Sequence, residues 1–135
     1  MTLRSAVLNR DDQISEELAI DEQSCSCCQT DMARWGDQSL IVYRDRSDDE
    51  IRDISVAQRS SSRWGPPKRI HDDGWRIEGC PVNGPAIAVG NGRGLVFWPT
   101  FVDDQMTLRY VVAESPDALA NGPRMNELQL PAAPS

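Results

Sequence analysis

Lysine is nearly missing from this chain. Lys68 stands alone among 14 basic residues, which face 21 acidic ones for a net charge of -7. Electrostatic capture of nucleic acid or of an anionic membrane needs clustered Lys and Arg, so neither is expected as a partner. Apolar runs are short as well, and none approaches the roughly 20 residues of a membrane-spanning helix. Helical periodicity is equally scarce: Ile14 to Ile20 is the best alternative helix, and a strand suits it better. The N-terminus, MTLRSAVLNRDDQ, turns polar too soon for a secretory signal, so a soluble chain is expected. What is plentiful is punctuation. Nine Gly and nine Pro in 135 residues, with a hydrophobic fraction of 39%, suit short strands joined by tight turns.

The chain also contains its own sequence twice. Sliding it by about 55 residues, in the range of propeller-type repeats, sets Cys25 to Arg69 on Cys80 to Arg124 without a gap. Cys25 falls on Cys80, Ala33 on Ala88, Leu40 on Leu95, Asp48 and Asp49 on Asp103 and Asp104, and Val56 on Val111. Met1-Thr2-Leu3-Arg4 recurs as Met106-Thr107-Leu108-Arg109, so the chain opens halfway through a unit.

Each unit reads as four strands, with Val, Ile, Tyr and Trp in the runs and Gly, Pro, Asn and Asp between them. The first full unit has Asp31 to Trp35, Ser39 to Arg44, Ile51 to Gln58 and Lys68 to His71. The second has Pro85 to Val89, Leu95 to Trp98, Met106 to Ala113 and Arg124 to Leu128. Thr2 to Leu8 and Ser15 to Ile20 supply a third and fourth strand before them. Runs such as Leu40-Ile41-Val42-Tyr43 are apolar on both faces, which suits a sheet packed between two others. The expected fold is therefore all-β, an incomplete β-propeller of about two and a half four-stranded blades, against roughly four to eight in a closed ring. Residues 1–24 form the half blade, 25–79 and 80–130 the two full blades, and 131–135 a disordered tail. A blade without a neighbour exposes a face meant for burial, so self-association or additional blades are expected.

Three strings, CSCCQT, YRDRSDDEIRDI and HDDGWRIEGCPVNGP, occur in order between about Asp21 and Trp98. In them the chain resembles the bacterial sialidase-like propeller proteins of the BNR or Asp-box superfamily. The resemblance implies a multi-bladed propeller whose relatives are usually longer and often exported. The Asp box survives in pieces: Ser60 to Trp64 keeps its Ser and Trp, and Ser115-Pro116-Asp117 its Ser and Asp. A sialidase needs three arginines gripping a carboxylate, a Tyr activated by a Glu, and an Asp acid. That set cannot be assigned here, so no catalytic residue is named. The expected role is that of a non-catalytic binding or interaction module. The alternatives are a sialidase-type glycan hydrolase completed by other subunits and a thiol-based metal-binding protein.

Two groups of residues could carry chemistry. Cys25, Cys27 and Cys28 precede the first strand of one blade, and Cys80 the first strand of the next. Their thiolates are candidate ligands for zinc or copper, with no firm cofactor assigned; a disulfide with inert thiols is the plainer alternative. His71, the only histidine, is expected in an ordinary surface role. Equivalent positions on adjacent blades are poorly placed to bridge, because a disulfide spans a Cα separation of only about 4.4 to 6.8 Å. Cys80 is therefore expected close to the cluster, and any bridge is expected to reach Cys27 or Cys28 instead of Cys25. The second group is Arg44, Asp45, Glu50, Arg52 and Asp53, a strand, loop and returning strand. Arginine forks suit a carboxylate or sulfate, and carboxylates suit sugar hydroxyls, which makes a carbohydrate or small anion the candidate ligand. The same residues can instead pair with one another and fix a hairpin.

Overall fold

A computed structural model describes residues 1–129; the expected tail at 131–135 lies outside the described residues. The protein is all-β, with three antiparallel sheets in chain order and one short helix among the described residues. The first sheet is a hairpin of β1 (Leu3–Leu8) and β2 (Ile14–Asp21). Ile14 to Ile20, the alternative helix, is thus strand. The second sheet runs β3 (Asp31–Trp35), β4 (Gln38–Arg44) and β5 (Ile54–Ser60). Its outer strand is split into β6 (Arg63–Trp64) and β7 (Lys68–Arg69), which both pair with β5. Pro66 and Pro67 lie between them; proline has no N–H to give a ladder, so the fourth strand breaks there. The third sheet is a regular meander of β8 (Ala86–Gly90), β9 (Arg93–Val102), β10 (Gln105–Ala113) and β11 (Met125–Gln129).

The repeat in the sequence is a repeat in register. Ala33 stands opposite Leu40 in the second sheet, and Ala88 opposite Leu95 in the third. The half unit obeys the same plan: Arg4 reaches Glu17 on its partner strand at 2.8 Å, as Arg109 reaches Glu127 at 2.9 Å. The gapless alignment fails on the third strand, however. Arg44 pairs with Ile54, whereas its counterpart Pro99 pairs with Leu108, one residue earlier in the repeat. The turns cause this. Val102 and Gln105 are joined by Asp103-Asp104, both at positive φ, the two-residue hairpin turn that matches strand twist. In the second sheet Ser47 N–H donates to the Ile51 carbonyl and Glu50 N–H to the Ser47 carbonyl, both at 3.0 Å, with Glu50 itself at φ 63°. That is a three-residue loop with its last residue left-handed, one residue longer. An offset of one residue turns a strand over, so Val56 and Val111, aligned in sequence, face each other's sheets across one core.

That core lies between the second and third sheets and is filled by Trp35, Leu40, Val42, Ile54 and Val56 from one side and Ile87, Val96, Trp98 and Val111 from the other. Between β10 and β11, where an all-strand repeat leaves a turn, sits α1 (Pro116–Ala120). Ser115 caps it by accepting from the Ala118 N–H, Pro116 occupies its start, and Leu119 seals the core. The first sheet covers the other face of the second through Leu3, Ile20, Ile41, Ala57 and Trp64. Two polar ties hold it there: Trp64 Nε1 donates to Ser5 Oγ at 2.8 Å, and the buried Tyr43 hydroxyl donates to Asp21.

Candidate functional site

The two groups of candidate residues meet. Cys25 opens the segment leading into β3, and its backbone N–H donates to the Arg44 carbonyl at the end of β4. Cys80 precedes β8, and the inner strands β3 and β8 lie side by side. The four cysteines therefore gather where the two repeats begin. Cys27 is disulfide-bonded to Cys80, with a Cα separation of 6.2 Å, so the bridge avoids Cys25, as expected. Cys25 and Cys28 are free thiols whose Sγ atoms stand 2.6 Å apart, and Cys25 Sγ lies 3.6 Å from Cys27 Sγ. The close approach of the two segments also needs Gly84, where a Cβ would fall on the Gln29 carbonyl.

The thiols do not titrate alike. Burial pushes Cys25 up, but the hydrogen bond with Cys28, the Cys27 backbone N–H and the Arg52 guanidinium outweigh it and hold the thiol below its ordinary value. Burial, reinforced by the neighbouring Cys25, pushes Cys28 up to about 12.

The charged hairpin is mostly spoken for. Arg44 is fully buried, and its guanidinium donates to three backbone carbonyls from three segments: Arg52 at 2.6 Å, Asn83 at 2.8 Å and Pro99 at 2.6 Å. It also lies 4.9 Å from the centre of the Trp75 ring, a cation–π distance. Asp53 accepts from the backbone N–H groups of Gly74 and Trp75, and burial pushes its carboxyl above the ordinary range. Glu50 bridges Arg46 and Arg52, each at 2.6 Å, and hydrogen bonding from Arg46 holds it below the ordinary carboxylate range. Asp45 is raised by burial. These five residues do not converge on one solvent-facing point. Arg44, Arg52 and Asp53 are interior groups: Arg44 ties the second sheet to the third through Pro99, Asp53 holds the segment at Gly74 and Trp75, and Arg52 pairs with Glu50, while Asp45 and Glu50 sit nearer the surface. Arg52 Nε is buried without a partner.

Two features escape the sequence reading. Asp73, read there as part of a turn, is a buried carboxylate receiving Trp98 Nε1 at 2.7 Å, Arg109 at 2.6 Å and His71 Nδ1 at 2.7 Å. His71 is accordingly half-buried and engaged. The other feature is an open, wholly apolar depression of about 340 Å³ on the outer face of the third sheet, lined by Leu95, Phe97, Leu108, Tyr110 and Leu128. Leu95 and Phe97 fall in the repeat counterpart of the run Leu40 to Tyr43, whose residues are apolar on both faces. Leu108, Tyr110 and Leu128 complete the patch only through the true register of β10 and β11.

No family model matches this chain, and no curated protein matches it.

Proposed function

We propose that this protein is a segment of a sialidase-like β-propeller acting as an interaction module, whose ligand is another β-sheet seated on the outer face of β8 to β11. The observation that carries this reading is a correspondence of positions. Leu40, Val42, Ile54 and Val56 in the second sheet are covered by the third sheet. Their register counterparts in the third sheet are Leu95, Phe97, Leu108 and Tyr110, the lining of the open face. The chain thus repeats a sheet-packing surface and leaves its second example uncovered. Successive four-stranded sheets packed face to face are the propeller plan. The resemblance of CSCCQT, YRDRSDDEIRDI and HDDGWRIEGCPVNGP to sialidase-like strings agrees with it.

The occupant favoured for this face is a second copy of the chain. The patch is lined by apolar residues alone, so it meets itself without like charges opposed, the self-complementarity that a two-fold contact requires. Strand and sheet spacings give the whole outer face of β8 to β11, with this patch within it, roughly 30 by 15 Å, which on pairing buries about 1,000 Å² in total, the lower end for a specific interface. Sedimentation velocity over a range of concentrations tests the reading. The expected result is concentration-dependent dimerisation that Phe97→Asp with Tyr110→Asp abolishes while the far-ultraviolet circular dichroism is unchanged. A folded monomer at every concentration overturns self-association, and growth into larger oligomers shows a head-to-tail contact instead.

A further inference from the structure

Four sulfurs meet ahead of β3, and only two of them are bonded. With Cys27 tied to Cys80, Cys25 and Cys28 are left as a free pair spaced Cys-x-x-Cys along the chain, 2.6 Å apart. A disulfide is about 2.05 Å long, so bond formation asks the two sulfurs to close by about half an ångström. Their surroundings suit sulfur chemistry. The buried Arg52 lies beside Cys25 and keeps its Nε unpartnered. The buried Arg44 places a second positive charge near Cys28. Neighbouring guanidiniums favour the sulfur anion that develops in thiol–disulfide exchange. They disfavour a metal dication in the same place, and two remaining thiols fall short of the three or four protein ligands of a zinc site.

We propose that Cys25 and Cys28 are a redox-active dithiol that exchanges with low-molecular-weight disulfides, so that this corner of the protein alternates between one bridge and two. Cys28 is the half-exposed member and Cys25 the buried one, which sets the order of events. The pair loses its first proton at Cys25, the thiol held below its ordinary value, and the resulting anion withdraws the Cys28 proton across the 2.6 Å contact. The Cys28 sulfur then attacks an external disulfide R–S–S–R, forming Cys28–S–S–R, and the first proton leaves on the first R–SH. Cys25 then attacks the Cys28 sulfur, forming the Cys25–Cys28 bond, and its proton leaves on the second R–SH. Two electrons pass from the protein pair to the external disulfide, and the reverse sequence regenerates the dithiol.

The test uses the full chain, equilibrated in stepped ratios of reduced to oxidised glutathione, trapped with N-ethylmaleimide and mapped by mass spectrometry. Cys25 and Cys28 are expected to lose alkylation together in a single two-electron transition, with Cys27–Cys80 intact throughout it. Cys25→Ser is expected to stall with glutathione on Cys28; Cys25→Ala provides the same readout should the serine variant fail to fold, and the wild-type map stands without either. Two results overturn the proposal: both thiols remaining alkylatable in excess oxidised glutathione, or all four cysteines found reduced with stoichiometric zinc or copper by elemental analysis, which makes the cluster a metal site.

Discussion

Val42 and Phe97 occupy the same place in successive sheets. Val42 stands between Asp31 and Val56, Phe97 between Ala86 and Tyr110, and the valine is completely covered while the phenylalanine is 38% exposed. One position thus takes two opposite burdens. In the second sheet the side chain is core; in the third it lies on an open sheet face.

The pair predicts a sharp asymmetry. Val42→Asp buries a carboxylate with no partner, a change costing several kcal/mol against a typical total stability of about 5 to 15, and the variant is expected not to fold. Phe97→Asp places the same charge at an accessible site and is expected to hold the monomer within about 1 kcal/mol of wild type. Thermal denaturation followed by circular dichroism compares them directly. Similar losses in both variants would mean that the outer face is as much a part of the folded core as the inner one.

Arg44 predicts a different failure. Its guanidinium serves carbonyls of Arg52, Asn83 and Pro99 at once, and hydrogen bonds to charged groups contribute about 1.5 to 3 kcal/mol each. Lysine keeps the charge but not the planar fork that reaches three segments. Arg44→Lys and Arg44→Leu are therefore both expected to lower stability by at least about 3 kcal/mol, read from the urea midpoint. If lysine restored the wild-type midpoint, the charge alone would explain the arginine.

Much of the scaffold is legible in the sequence because strand patterning is a local signal. Asp31 to Trp35 is expected as a strand and is observed at the same limits, with Gly36 at φ 63° beyond it, and the pairing of Ala33 with Leu40 is repeated by that of Ala88 with Leu95. What escaped depends on geometry that alignment cannot carry. Glu50 adds one residue to a turn and thereby turns β5 over relative to β10, which an ungapped match of Val56 to Val111 conceals. Helix α1 is a single turn set by Ser115 and Pro116, too short for periodicity to register. The cysteine gathering was readable from its repeat position. The burial of Arg44 and Asp53 was not, because an Arg–Asp hairpin has the same composition whether its charges face water or hold two sheets together.

Asp73 makes the stability of the fold depend on acid. Burial pushes its carboxyl up, but hydrogen bonds from Trp98, Arg109 and His71 outweigh that and hold it below the ordinary value of 3.8. The folded carboxyl binds its proton less tightly than the unfolded one, so its stabilisation is fully present above about pH 4 and is lost as the pH falls through the folded value. Asp45 and Asp53 are shifted the opposite way by burial; for them, falling pH favours the folded form until it passes 3.8. The two windows adjoin without overlapping, so stability is predicted to rise as the pH falls towards about 4, from Asp45 and Asp53, and to fall below it, from Asp73. Asp73→Asn is expected to remove much of that acid fall while lowering stability at neutral pH. Urea midpoints measured across acidic pH check both limbs, and an unchanged slope in Asp73→Asn would assign the acid fall to other carboxylates.

Gly84 tests how the cysteine corner is held. Its φ is not among the positive ones, so the glycine is needed for space: a Cβ there meets the Gln29 carbonyl, backbone against backbone, with no flexible side chain to give way. Relief must come from moving the loop before β8 away from the segment entering β3. That movement carries off the Asn83 carbonyl that accepts from Arg44 and loads the loop between Cys80 and its partner Cys27. Gly84→Ala is therefore expected to cost about 2 kcal/mol or more. Gly122→Ala, at φ 71° with open space around it, is expected to cost only about 1 kcal/mol, from backbone strain alone. Because Gly84 acts partly through Arg44, the two changes should not add: in an Arg44→Lys background Gly84→Ala is expected to lose less than it does in wild type. Additive losses in the double-mutant cycle would mean that the close approach and the arginine staple are independent.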